Sequence, residues 1–171
     1  MNTEKPIRVL LADDNKVVRN GLATMLKANS GFEVVGEAVN GREAAELNRK
    51  TRPDVILMDI SMPLMNGLEA TRLILKDFPG TKVLILSSYG DDAYVESAAV
   101  FGASGYLLKQ SASNVLPEAI REVHKGGTYC SPVVSKRFLA SQKLAIPDIA
   151  GLTRYAIAEG VIDGGVQLTI I

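Results

Sequence analysis

Four short apolar runs in this sequence each end on side chains that can take part in phosphate chemistry. Each run has the length and composition of a buried β-strand. The residues at the four ends are Asp13 and Asp14 after residues 7–12, Asp59 after 55–58, Ser87 after 83–86 and Lys109 after 105–108. Because the carboxyl ends of parallel strands lie at one edge of a sheet, these side chains can meet there. The pattern predicts a site with three carboxylates, a hydroxyl and an ammonium group.

Three neighbouring carboxylates indicate a site for a divalent cation. Like charges at short range repel one another, and a cation that prefers oxygen ligands removes that repulsion. We therefore predict a Mg²⁺ site at Asp13, Asp14 and Asp59. A carboxylate oxygen in such a site can attack phosphorus, and the transfer depends mainly on alignment and charge neutralisation. Lys109 would supply positive charge, and the Ser87 hydroxyl would hydrogen-bond a phosphoryl oxygen.

Each of these residues also has a simpler interpretation when it is considered alone. An aspartate that follows a strand is usually a turn residue or a helix cap. Ser87 alone is uninformative, and Lys109 alone would be a solvated surface residue. The prediction therefore depends on finding such side chains at the ends of all four strands. The sequence has no Gly-rich phosphate loop, HExxH motif or CxxC motif that would indicate a different site.

Strand and helix patterns alternate along most of the chain. The predicted strands are 7–12, 32–39, 54–59, 82–87 and 104–108, and the predicted helices are 16–28, 42–50, 66–78, 92–101 and 113–124. Strict alternation is typical of an α/β fold with a doubly wound, five-stranded parallel sheet that helices cover on both faces. Ligands of such sheets bind beyond the carboxyl ends of the strands. All the predicted site residues named above lie at such ends.

The composition favours a folded protein, and a cytoplasmic location is expected. Hydrophobic residues make up 47% of the 171 residues, and 19 basic residues balance 19 acidic ones. A neutral total provides no overall attraction to nucleic acid. Cys130 is the single cysteine, so no internal disulfide can form. No apolar run has the length of a membrane span, and the N-terminal run is too short for a signal peptide.

Four stretches resemble the receiver domain of two-component response regulators, in the branch called NarL/FixJ or LuxR-type. They are VLLADD, DVILMDISMPLMNGLEAT, KVLILSS and GASGYLLK. The resemblance covers residues 6 to about 125 and implies a flavodoxin-like (CheY-like) fold with strand order 2-1-3-4-5. It divides the chain into a receiver domain at 1–125, a linker helix at 126–142 and a remnant of a DNA-binding module with an unassigned tail at 143–171.

The resemblance also implies a phosphoryl-transfer role for the predicted site. Asp59 would be the phosphoacceptor for a sensor histidine kinase. Lys109 would contact the phosphoryl group. The ligands of Mg²⁺ would be Asp13, Asp14, Asp59 and the backbone carbonyl of Ser61.

A switch is implied by the resemblance as well. Ser87 takes the position of the switch hydroxyl, and Tyr106 takes that of the switch aromatic residue. Ser87 would move toward the phosphoryl group and Tyr106 would turn inward behind it. The face around residues 91–125 would then change its affinity for partners. Gln110 stands where many receivers have a proline, which this branch commonly lacks.

The sequence departs from the family after the receiver. Such regulators usually end in a helix-turn-helix module that binds DNA. The segments GGTYCSPVVSKRFL and IAGLTRYAIAEGVI resemble the stretch before that module and its last helix. The helices that should lie between them are not recognisable, since Gln142 is followed at once by Lys143 and Leu144. Without a recognition helix there is no element to enter the major groove, which speaks against DNA binding.

The remaining sequence predicts one more helix and an unassigned tail. The helix would span 148–159, with Asp148 and Gly160 as its caps, and residues 166–171 have a strand-like pattern. An isolated helix with an apolar side needs cover from the receiver or from a second copy. The resemblance implies that this cover comes from a phosphorylation-dependent homodimer.

Three functions are open from the sequence. The first is a phosphoacceptor receiver whose output is protein–protein contact. The second is a phosphorylation-dependent transcription regulator of the LuxR type, which a basic groove-sized surface would favour. The third is a hydrolase or phosphatase, but the nucleophile of such enzymes usually ends the first strand. Because Asp59 ends the third strand, the receiver is favoured and no enzyme activity beyond slow self-dephosphorylation is expected.

Overall fold

The computed structural model describes residues 4–145. Six parallel strands form one sheet in the order β2-β1-β3-β4-β5-β6. The strands are β1 (Ile7–Ala12), β2 (Phe32–Ala38), β3 (Val55–Met58), β4 (Lys82–Ser87), β5 (Gly105–Leu108) and β6 (Tyr129–Cys130). The helices are α1 (Lys16–Ala28), α2 (Gly41–Thr51), α3 (Gly67–Asp77), α4 (Asp92–Val100), α5 (Lys109–Ala112), α6 (Leu116–His124) and α7 (Pro132–Leu144).

The central strands are apolar without alternation because helices cover both faces of the sheet. Every residue of β3 and of β5 is buried. Leu10 and Ile56 belong to the core layer under α2, α3, α4 and α7. Leu11 and Leu57 belong to the opposite layer, under α1 and α6. Successive side chains of a strand point to opposite faces, so one apolar run contributes to both layers.

Three asparagines fix where helices begin. Asn15, Asn40 and Asn66 precede α1, α2 and α3, and each side-chain oxygen accepts a hydrogen bond of 2.8–2.9 Å from a backbone N–H in the first turn. Such caps satisfy N–H groups that have no partner within the helix. All three helices begin just beyond the carboxyl end of a strand. The caps therefore also fix the loops at that edge of the sheet.

The predicted α/β fold and the order of its five predicted strands are confirmed, and the structure adds a sixth strand. β6 lies at the edge of the sheet, where it pairs Tyr129 with Gly105 and Cys130 with Tyr106. Sequence reasoning missed it, because a strand of two residues is too short to have a recognisable period.

The helix predicted over 113–124 begins instead at Leu116, after the separate short helix α5. Pro117 is the reason for this break. It has no N–H to donate to the preceding turn, and its ring would collide with the carbonyl of Ser113 in a continuous helix. The helix therefore restarts with the proline in its first turn, where no N–H is needed.

The segment predicted as a linker contributes α7, which packs against α4. Val134 and Phe138 of α7 are buried in the core layer beside α4. Arg137 contacts Asp92 and Glu96 of α4 at 3.1 and 3.0 Å. Exposed ion pairs add little stability, so the buried apolar side chains provide most of this attachment.

The helix predicted over 148–159, its caps Asp148 and Gly160, and the strand-like tail over 166–171 lie outside the described residues. Within 4–145, no helix combines the length and the apolarity that crossing a bilayer requires.

Candidate functional site

The three aspartates at the strand ends come together at the carboxyl edge of the sheet. Asp13 and Asp14 follow β1, and Asp59 follows the neighbouring β3. These three residues, called the acid cluster below, each have a carboxylate oxygen within 4.8 Å of such an oxygen in the other two. Asp13 is 2% exposed and Asp59 is 6% exposed, whereas Asp14 is open to solvent. The cluster is therefore largely enclosed but accessible from one side.

Lys109 joins the acid cluster from the end of β5. Its Nζ lies 2.7 Å from Oδ2 of Asp13 and 3.3 Å from Oδ1 of Asp59. Burial favours the neutral amine, but the hydrogen bond to Asp13 and the charges of Asp59 and Asp13 outweigh it, so the pKa of Lys109 is raised. The ammonium group therefore stays charged at neutral pH and neutralises part of the cluster.

The pKa of Asp59 is raised above its ordinary value. Burial raises the pKa of Asp59 to about 6, and the charge of Asp13 adds to this effect. The charge of Lys109 and its hydrogen bond act in the opposite direction without cancelling the rise. A cation bound beside Asp59 would favour its ionised form.

Ser87 and Tyr106 both contact Tyr89, in the loop between β4 and α4. Ser87 ends β4 and is 1% exposed, and its Oγ accepts a hydrogen bond of 3.1 Å from the backbone N–H of Tyr89. Tyr106 is fully buried, and its hydroxyl donates a hydrogen bond to the carbonyl oxygen of Tyr89. The ring of Tyr106 therefore lies inward, behind the loop that follows Ser87.

The loop of Asp13 and Asp14 is fixed by two neighbours on the α1 side. Oδ1 of Asp13 accepts a hydrogen bond of 2.8 Å from the backbone N–H of Asn15. The guanidinium of Arg19 donates to the carbonyl oxygen of Asp13 at 2.7 Å, and its Nε lies 3.3 Å from Oε1 of Glu37. Sequence reasoning missed Arg19, because an arginine on an amphipathic helix looks like a surface residue. One sign of this contact is present in the sequence, which is that Arg19 lies one helical turn after Asn15.

Gly67 allows α3 to begin directly against the end of β3. A Cβ at this position would overlap the carbonyl group of Asp59. The N–H of Gly67 donates to the carbonyl of Ile60 at 2.9 Å, which closes the loop between the strand and the helix. Ser61, predicted to offer its backbone carbonyl to a metal, lies exposed in this loop. Sequence reasoning also missed Gly67, although the pair Asn66-Gly67 was a signal for a close approach.

The residues present fit a divalent cation that prefers oxygen ligands. The acid cluster offers three carboxylates within reach of one ion. Burial and the neighbouring charge of Asp13 both raise the pKa of Asp59, and Lys109 does not cancel the rise, so a bound cation would favour the ionised carboxylate. Because the donors are all oxygen atoms, the chemistry of the cluster favours Mg²⁺ over metals that prefer nitrogen or sulfur.

Part of this chain is similar in sequence to known proteins. The family described as response regulator receiver domain matches residues 9–121. The transcriptional regulatory protein DegU of Brevibacillus brevis is 43% identical over 136 residues, which cover 80% of this chain and 58% of DegU. The transcriptional regulatory protein LnrK of Bacillus subtilis (strain 168) is 39% identical over 137 residues, which cover 80% of this chain and 62% of LnrK.

A solved structure extends the likeness to three dimensions. The crystal structure of a LuxR-family two-component response regulator from Aurantimonas sp. SI85-9A1 matches with a TM-score of 0.75 at 32% identity, covering 81% of this chain and 99% of that one. The chain spans about three-fifths of the length of DegU and LnrK. The part that matches the family contains the acid cluster, Ser87, Tyr106 and Lys109. The chain therefore belongs to the response regulator receiver domains of two-component systems, in their NarL/LuxR branch.

Proposed function

We propose that Asp59 accepts a phosphoryl group from a sensor histidine kinase. The observation that carries the proposal is the setting of this carboxylate, which lies in the acid cluster with the ammonium of Lys109 3.3 Å away. Membership of the receiver family supports the same assignment. The proposed receiver domain spans residues 1–125, followed by the linker at 126–142.

The proposed reaction is a direct transfer to the carboxylate. An oxygen of Asp59 attacks phosphorus, and the bond between phosphorus and the donor nitrogen breaks. The pKa of about 6 leaves Asp59 mostly ionised at pH 7.5, as a nucleophile must be. Mg²⁺ held by the acid cluster and the carbonyl of Ser61 would neutralise charge on the phosphoryl oxygens. Lys109 is close enough to Asp59 to turn from its carboxylate to a phosphoryl oxygen.

The proposed switch consists of Ser87 and Tyr106. In this structure the N–H of Tyr89 donates to the Ser87 hydroxyl and the Tyr106 hydroxyl donates to the carbonyl of Tyr89. Tyr106 already lies inward in this structure, so the change would begin at Ser87: a phosphoryl group on Asp59 would attract the Ser87 hydroxyl, and the loop to α4 would follow. The output would be a change in protein–protein contacts, including a homodimer that forms on phosphorylation.

Mass spectrometry after treatment with phosphoramidate and Mg²⁺ tests the phosphoacceptor assignment. We expect one added phosphoryl group on the wild-type chain and none on Asp59→Asn. Asp77→Asn, which changes an exposed aspartate at the end of α3, is the matched control and should behave as wild type. Phosphorylation of Asp59→Asn at the wild-type rate would show that the nucleophile is a different residue.

Phosphorylation-dependent DNA binding is the second candidate function. The names of the relatives favour it, since DegU and LnrK are called transcriptional regulatory proteins. Against it stands the sequence of 143–171, in which a recognition helix is not identified. Fluorescence anisotropy with duplex DNA at low salt, with and without phosphoramidate, separates the two outputs. Binding that strengthens on phosphorylation would establish the second function, and absence of binding in both states would leave protein contact as the output.

A further inference from the structure

Ser131 lies outside the residues that match the receiver family, yet it fastens the end of β5. It precedes α7 and is 4% exposed. Its backbone N–H donates to the carbonyl of Tyr106 at 2.9 Å, and its Oγ accepts a hydrogen bond of 3.0 Å from the N–H of Leu108. On its other side Leu108 pairs with Ser87 of β4. Ser131 therefore extends the ladder beside β5 by one step, past the last residue of β6.

Ser111 closes a ring of hydrogen bonds around Leu108. Oγ of Ser111 donates to the carbonyl oxygen of Leu108 at 3.2 Å, and it lies 3.4 Å from Oγ of Ser131. Because the one hydroxyl hydrogen of Ser111 points to Leu108, the Ser131 hydroxyl must be the donor between the two serines. The ring thus runs from the N–H of Leu108 through both hydroxyls to its own carbonyl. The N–H of Leu108 is therefore held by Ser131 at the start of α7, and its carbonyl is held by Ser111 of α5.

We infer that Ser131 is a positioning residue for Lys109, so that the segment after the receiver forms a working part of the phosphoacceptor site. This inference rests on the proposed phosphoryl transfer to Asp59. Lys109 directly follows Leu108 and begins α5, a helix of 4 residues whose start has no side-chain cap. The backbone at Leu108 therefore sets the direction from which the Lys109 ammonium reaches the cluster. Without the Ser131 hydroxyl, the buried N–H of Leu108 loses its partner and the strand end must shift to find another.

Ser131 itself is held by the packing of α7. Val134 and Phe138, one and two turns further along, are buried beside α4. Arg137 adds contacts to Asp92 and Glu96. The contact between α4 and α7 is in this way connected, through Ser131 and Leu108, to the lysine of the site.

The test measures phosphoryl transfer from phosphoramidate to Asp59 in the full chain and in three variants. Ser131→Ala should lower the rate constant at saturating Mg²⁺ about fivefold, the effect of one hydrogen bond. Ser131→Thr keeps the hydroxyl and should restore most of the rate. Ser141→Ala should have the wild-type rate, because this buried serine of α7 lies roughly 15 Å further along the helix.

The Mg²⁺ concentration that gives half the maximal rate separates positioning from general damage. It should stay the same or fall in Ser131→Ala, because a displaced Lys109 competes less with the cation for Asp13 and Asp59, whereas general damage to the acid cluster would raise it. A wild-type rate for Ser131→Ala, or an equal fall in Ser141→Ala, would overturn the inference. If Ser131→Ala does not fold, Ser111→Ala removes the hydrogen-bond partner of the Ser131 hydroxyl and must slow transfer for the inference to stand. A wild-type chain that takes no phosphoryl group on Asp59 would instead overturn the proposed function.

Discussion

The ammonium of Lys109 lies 2.7 Å from the carboxylate of Asp13, although β3 and β4 separate the strands that these residues follow. The same ammonium lies 3.3 Å from Asp59, which follows the intervening β3. One side chain therefore connects carboxylates from two strands, and its shorter contact is with a proposed metal ligand. Lys109 and a cation compete for the same oxygens, and this competition determines several expected properties of the site.

Asp59→Asn should stabilise the metal-free protein at neutral pH. The pKa of Asp59 rises from its usual 3.8 to about 6 on folding, so the folded state binds more protons between these values. The contribution of Asp59 to the stability of the wild type therefore falls as the pH rises from about 4 to about 6, and stays low above that range. Because asparagine carries no charge, Asp59→Asn should raise the free energy of unfolding at pH 7.5 by about 2–3 kcal/mol. Urea unfolding of the wild type and the variant in EDTA at pH 7.5 and pH 4 measures this difference. A gain in unfolding free energy that is as large at pH 4 as at pH 7.5 would contradict an origin in the charge of Asp59.

Lys109→Met should affect metal binding and phosphoryl transfer in opposite directions. Removal of the ammonium leaves Asp13 and Asp59 uncompensated, so the affinity for Mg²⁺ should rise about tenfold. Phosphoryl transfer should slow by roughly a hundredfold, because the positive charge that would neutralise the phosphoryl oxygens is lost. Calorimetric titration with Mg²⁺ and mass spectrometry of phosphorylation give the two values. Lys125→Met, an exposed lysine after α6, is the control, and a parallel loss of both properties in Lys109→Met would point to misfolding.

Gly67→Ala should destabilise the protein and weaken the site. The new Cβ would overlap the carbonyl group of Asp59, so β3 and α3 must move apart. We expect a loss of about 2–4 kcal/mol of unfolding free energy, together with weaker Mg²⁺ binding. Gly80→Ala is the matched control, because no atom lies within 4 Å of a Cβ built there. Equal stability of the two variants in urea would show that α3 does not need this close approach.

Cys130 should be slow to react with thiol reagents while β6 stays paired. Burial raises the pKa of the Cys130 thiol to about 11, and the hydrogen bond with the backbone of Tyr106 only partly opposes this rise. At pH 8 the thiolate fraction should be about a hundredfold lower than for a thiol with the usual pKa of 9.0. Rates with a disulfide reagent at pH 8 and pH 10, in native buffer and in urea, measure the effect. A native rate equal to that in urea would mean that β6 does not protect the thiol.

The fold and the strand ends could be predicted from sequence because a buried parallel strand is apolar on both faces. The runs before Asp13, Asp59 and Lys109 have that property, so each end was visible without any knowledge of the neighbouring strands. The topology of a doubly wound sheet then brings the ends to one edge. The roles of these residues in phosphoryl transfer remain proposals, to be decided by the experiments above.

Tertiary structure alone decided the contacts that hold the site in place. Ser131 binds the backbone of Tyr106 and Leu108, Arg19 binds the carbonyl of Asp13, and Gly67 packs on the carbonyl of Asp59. Every residue has a backbone carbonyl and nearly every residue has an N–H, so such a contact requires no particular type of partner. It leaves no periodic pattern in the sequence. The sequence therefore determined which groups could do chemistry, and the packing of distant elements decided the positions and orientations of those groups.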